Sequence, residues 1–274
     1  MTPLADGREG LGKAVTRKSG DLPSGAQAPL LPGNRPNPNA VGDDGQEDDM
    51  HIEPGLVTGA KALVGYATAA TAGGYTLMLA RDALREKGVT SLALRSVIAT
   101  AAVFSFFEIL PHYPVGVSEV HLILGSTLFL ILGAAPAAFG LALGLLVQGL
   151  FFAPFDLPQY GMNVTTLLVP LFALRALAER IIAPHTPYVD LKYRQALALS
   201  TAYQGGVVTW VAFWAFLGQG FSAENLTAIT TFGSAYMLVV LVEPLADLAV
   251  LAAAKSLRGL AHSGLFTHRL HHAA

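Results

Sequence analysis

Between residues 55 and 254 the chain runs through seven long apolar stretches, at about 55–80, 89–110, 116–135, 137–154, 164–183, 195–220 and 227–254. Short connections rich in Pro and Gly separate several of them, such as Ala134-Ala135-Pro136 and the run from Ala153 to Gly161. Crossing the hydrocarbon of a bilayer takes roughly 20 mostly apolar residues. Lipid offers no partner for a backbone N–H or C=O, so unbroken apolar runs of this length predict helices rather than strands. Charge content agrees: 13% of residues are charged, against about 25% in a soluble domain. The expected fold class is an all-α integral membrane protein, a bundle of about seven transmembrane helices. The absence of cysteine excludes disulfides, thiolate zinc sites and iron–sulfur clusters.

Basic residues orient the bundle. After residue 50 the Lys and Arg are Lys61, Arg81, Arg85, Lys87, Arg95, Arg175, Arg180, Lys192, Arg194, Lys255, Arg258 and Arg269. With the N-terminus outside, every one of these except Lys61 falls on or near the inner side, and the loops at 111–118, 155–163 and 221–226 carry none. Basic residues collect on the cytoplasmic side of short loops, so the N-terminus is expected outside and the C-terminus inside. His51, Glu53, His112, Glu119, His121, Asp156 and Asn163 then sit at the outer mouth, where a carrier would keep its first site. No basic face suggests nucleic acid.

Residues 1–49 are rich in Gly, Pro, Asn and acids and show no apolar period. Such a segment cannot bury enough apolar surface to offset its ordering entropy, and it lacks the apolar core of a signal peptide. It reads either as a disordered extension or as sequence upstream of a true start at Met50. The expected organisation is an extension at 1–49, a transmembrane metal-binding domain at 50–258 and a His-rich cytoplasmic tail at 259–274. Small residues line two helix faces, Gly140-x-x-x-Gly144 and the series Gly65, Ala69, Gly73. They allow close helix approach in lipid, either within the bundle or against another subunit.

Two segments carry chemistry. One is Met50-His51-Ile52-Glu53-Pro54-Gly55, before the first stretch; the other is Gly116-Val117-Ser118-Glu119-Val120-His121-Leu122, opening the third. A lone His near an interface is more often a polar anchor than a ligand, but here two share the outer side. Downstream come Leu146-Val147-Gln148-Gly149-Leu150-Phe151-Phe152 and Gly161-Met162-Asn163-Val164. In order and spacing, from Met50 to about residue 185, this set resembles the CbiM/NikM family, the substrate-binding membrane subunits of energy-coupling-factor transporters for cobalt and nickel.

The resemblance implies a metal held by the Met50 amine, the His51 amide nitrogen and imidazole, and the His121 imidazole. Four nitrogens in a plane suit Ni(II), Co(II) or Cu(II), whereas zinc prefers a tetrahedron. Glu53, Ser118, Glu119, Gln148 and Asn163 become candidates for the metal's route in or for orienting its ligands. Here the sequence departs from the family pattern: as written, Met50 is internal and has no free amine, and Glu119 stands where a small residue is expected. The resemblance further implies that Co2+ or Ni2+ is substrate rather than resident cofactor. It implies a bacterial plasma membrane, a transmembrane coupling subunit, separate cytoplasmic ATPases and in some systems a small accessory membrane protein. The chain itself has no Gly-x-x-x-x-Gly-Lys-(Ser/Thr) phosphate loop and is expected not to be an enzyme.

Two other readings compete. A stand-alone secondary carrier or channel would show an inverted repeat and ionisable residues near the midplane; no repeat is visible. A membrane enzyme built on His would need several His, Asp or Glu on its inner spans. Glu243 and Asp247 lie in the last stretch, where acids are costly and often functional; they are expected to pair with Arg or face a partner. The tail residues His262, His268, His271 and His272 read as metal ligands or as a solvated basic tail.

Overall fold

A computed structural model describes Ile52 and residues 55–259. Six helices dominate it: α1 (Ala62–Glu108), α2 (Gly125–Leu132), α3 (Ala134–Phe151), α4 (Tyr160–Ile181), α5 (Tyr193–Gln219) and α6 (Ala223–Gly259). Two short strands, β1 (Tyr113–Val115) and β2 (Ser118–Val120), pair antiparallel between α1 and α2.

At 47 residues, α1 would be ~70 Å long if straight, over twice a ~30 Å hydrocarbon layer. It is not straight: Gly88 has φ 76° and ψ 172°, a conformation open to glycine at little cost. The two arms fold back on each other there. The Tyr66 hydroxyl of the first arm donates to Pro158 O at 2.7 Å. At the far end of the second arm Glu108 accepts from Gln148 at 3.5 Å, and Gly149 next to it packs on Leu157. Residues 42 positions apart thus meet the same neighbourhood. The stretches expected at 55–80 and 89–110 are these two arms.

Contacts sort the helix termini into two ends. At one end Lys61 donates to Gly218 O at 3.2 Å, and Gly65 packs on Met162 and Gly161. At the other, Arg95 donates to Leu132 O at 2.8 Å, Gln195 to Ile181 O at 2.6 Å and Lys255 to Leu191 O at 2.7 Å. The described basic side chains other than Lys61 belong to this second end, so it is the inner one.

One expectation changes. The stretch at 116–135 is not a continuous helix. It begins as the β2 half of a hairpin, runs irregularly through 121–124, and becomes helical only at α2. Eight residues of helix rise only ~12 Å, so this crossing is part strand, part irregular and part helix. The cause is local: β-branched Val115, Val117 and Val120 with Pro114 favour extended backbone. Gly116 (φ 67°) opens the two-residue turn between Val115 and Ser118, where a positive φ at the first turn position calls for glycine. Its missing side chain matters again, because a Cβ there would lie 2.4 Å from Ala228 O of α6.

The small-residue faces divide. Gly140 and Gly144 press on Ala99 and Val103 of α1, and Gly65 presses on α4, so these serve packing inside the bundle; Gly73 meets nothing within 4 Å. The core between helices is apolar and aromatic, with Trp214, Tyr203, Tyr236, Phe107 and Phe232 among its largest buried side chains. Large apolar side chains such as Leu63, Leu77, Leu94, Leu238 and Leu245 are exposed around the outside, the inverse of a water-soluble surface and suited to lipid.

Candidate functional site

The irregular stretch after β2 delivers His121 into the outer half of the bundle. The ring is buried, 8% exposed, and stands edge-on to Phe107 with centroids 4.7 Å apart. It lines a small cavity with Ser118, Glu119, Asn163, Ile52 and Tyr236, with room of about 20 Å3. One water-sized body needs roughly 10–15 Å3 of such room, so the cavity takes a single small occupant.

The segment before α1 closes this cavity from outside. Ile52, Leu56 and Val57 are buried. The Ile52 N–H donates to Asn163 Oδ1 at 3.3 Å, tying the strap to the first turn of α4. Gly218, near the end of α5, lies under Leu56, where any side chain would collide with its carbonyl. The strap is therefore seated by backbone-level fit.

Glu119, on β2, is 3% exposed, and its carboxylate lies 3.8 Å from His112 Nδ1. The register that pairs Glu119 with Pro114 turns this acid inward, so it is not the solvated surface acid that its position near a loop suggests. Asp156 is also buried, in the 3-10 turn Pro154–Gln159. Gln148 is fully buried on α3, where it donates to Glu108 rather than lining the cavity. Of the residues expected at the site, the structure gathers Ser118, Glu119, His121 and Asn163 around one space and sets Gln148 apart. Met50, His51 and Glu53 lie outside the described residues, as do His262, His268, His271 and His272. Among the described residues no three His, Asp or Glu side chains converge as a metal site.

Glu243 and Asp247 correct an expectation. No ion pair joins either to a described Lys, Arg or His. Glu243 accepts the Ile123 N–H at 2.9 Å, and Asp247 accepts the hydroxyls of Ser126 and Thr127. Both acids serve the broken crossing, and each also reaches α5, Glu243 at Gln204 and Asp247 at Ser200. Tyr236 of α6 lines the cavity and donates to Gln204 of α5 at 2.9 Å, a link no sequence pattern announced. At the inner end Tyr188 sits outside the spans, and burial, with the Asp247 carboxylate adding to it, pushes its phenol up to about 12.

A family model described as the cobalt uptake substrate-specific transmembrane region, CbiM, matches residues 51–259. The chain belongs to the CbiM family. A crystal structure described as that of a truncated transition metal transporter shares the fold, with a TM-score of 0.57 at 18% identity, over 74% of this chain and 97% of that one. No curated protein matches. This CbiM protein is thus a multi-pass membrane component of metal-ion uptake, and four of its helical segments (Gly59–Glu108, Ala134–Phe151, Pro154–Ile181 and Ala223–Leu257) are long and apolar enough to cross a bilayer.

Proposed function

We propose that this chain is the substrate-capture subunit of an energy-coupling-factor importer for Co2+ or Ni2+ in the plasma membrane of a bacterium. The metal binds at the outer face through the Met50 amine, the His51 amide nitrogen and imidazole, and the His121 imidazole. A coupling subunit and cytoplasmic ATPases then drive its release inward. The observation that carries this reading is the buried His121 lining an ion-sized cavity that Ile52, next in sequence to His51, also lines. Asn163, by holding the Ile52 N–H, fixes where the strap lies relative to His121.

The ligands must lose protons before they bind, so affinity falls as pH drops through the imidazole range near ~6.5. A free amine at Met50 requires that the working chain begin there, which intact mass and N-terminal sequencing of the native protein read directly. Titration calorimetry with Co2+ and with Ni2+ tests the site. His51→Ala and His121→Ala are each expected to abolish measurable binding while the helical circular dichroism is unchanged; wild-type affinity in both variants would sink the assignment.

A further inference from the structure

We propose that Glu243, supported by Asp247, is a positioning residue for metal capture: from α6 it holds in place the broken crossing that presents His121. This rests on the function proposed above.

The irregular stretch 121–124 lies inside the bundle, where each unpaired backbone N–H is costly. A helix start also leaves its first amide groups without partners, and the residue before α2, Leu124, is in the left-handed region (φ 53°) with no side-chain cap of its own. The irregular stretch is served from another helix. Glu243 accepts from Ile123 N–H at 2.9 Å and has the Leu124 amide as a second donor. One turn further along α6, Asp247 takes the hydroxyls of Ser126 and Thr127 in the first turn of α2. Glu243 thereby supplies an acceptor to the backbone just ahead of α2 and Asp247 pins side chains of its first turn, both from about 120 residues away in the chain.

Their consequence for the site is geometric. Ile123 is two residues from His121, is 1% exposed and lines the same cavity. Neither Glu243 nor Asp247 lines it, so they act on the ligand through the backbone. A left-handed Leu survives only where its surroundings over-determine it, and Glu243 holds the Ile123 N–H immediately before it. Any shift of α6 along its axis is passed to the backbone beside His121.

The test separates reach from charge. Glu243→Asp keeps the carboxylate and shortens it by one methylene; Glu243→Gln keeps the length and an acceptor oxygen. In the chain beginning at Met50, purified in detergent, Co2+ affinity, the ligand-field spectrum of bound Ni2+ and the metal-free melting temperature are recorded for each. Groups that orient a ligand typically change affinity by about 10–100-fold. Glu243→Asp is therefore expected to weaken Co2+ binding at least about tenfold and to shift the Ni2+ bands, while Glu243→Gln stays within about threefold of wild type. Wild-type affinity and spectrum in Glu243→Asp, whatever its melting temperature, would overturn the proposal and leave Glu243 a purely structural cap. If the wild-type chain binds no metal, or His121→Ala binds normally, the functional reading falls and this inference with it; wild-type binding lost in His121→Ala but unchanged in Glu243→Asp sinks the inference alone.

Discussion

Asn163 shows how one side chain can govern a site it need not ligate. Its amide oxygen accepts from the backbone of Ile52 across 111 positions of sequence, and it lines the same cavity as His121. Asn163→Leu keeps the bulk and removes the acceptor. The strap then loses its register against α4, and Co2+ affinity is expected to fall about tenfold, as for other residues that orient ligands. Calorimetry beside thermal melting checks this, since a loss of affinity proportionate to a general loss of stability would point to packing alone. That Asn163 was a candidate beside His121 came from its place in the Gly161-Met162-Asn163-Val164 motif, and the two do line one cavity. Its partner was not, because a hydrogen bond over that separation depends on where two helices and a strap come to lie.

At the scale of elements, the broken third crossing is where the fold and the site meet. A continuous helix over 116–135 would satisfy its own backbone and leave His121 wherever helical periodicity put it. The hairpin, the irregular stretch and the eight-residue α2 instead free the backbone to aim His121 inward, and α6 supplies the acceptors that the missing helical turns would have provided. Gly116 is a point in this element that tolerates no side chain. Gly116→Ala faces a positive φ and a Cβ 2.4 Å from Ala228 O, and strain with overpacking of this kind costs about 1–3 kcal/mol each. A lower melting temperature together with weakened Co2+ binding is expected; a variant with unchanged melting would show that the hairpin does not need this turn. The β-branched Val115, Val117 and Val120 beside Pro114 favour extended backbone, but counting apolar residues alone absorbed them into a span.

For the whole molecule, orientation is the property that gives the site its meaning. The strap, the hairpin and the cavity share one end of the bundle, and nearly all described basic side chains share the other. The chain has no cysteine, so single cysteines can report sidedness without background. Glu224→Cys, exposed at the start of α6, is expected to react with a membrane-impermeant maleimide on intact cells, and Glu86→Cys, exposed near the Gly88 turn, only after permeabilisation. The reverse labelling would place the capture site on the inner face and overturn the import reading.

By itself the sequence determined the class and the direction: long runs of apolar residues admit only membrane helices, and the distribution of twelve basic residues after Met50 orients them. It also marked His121 and Asn163, because ordered motifs survive as local words in the chain. The tertiary structure alone decided that α1 doubles back at Gly88, that the third crossing is broken, and that Glu243 and Asp247 serve it rather than an arginine. These depend on pairing backbone groups that have no local partner in lipid, and the partner found is whichever acceptor packing brings within 3 Å, something no window of neighbouring residues contains.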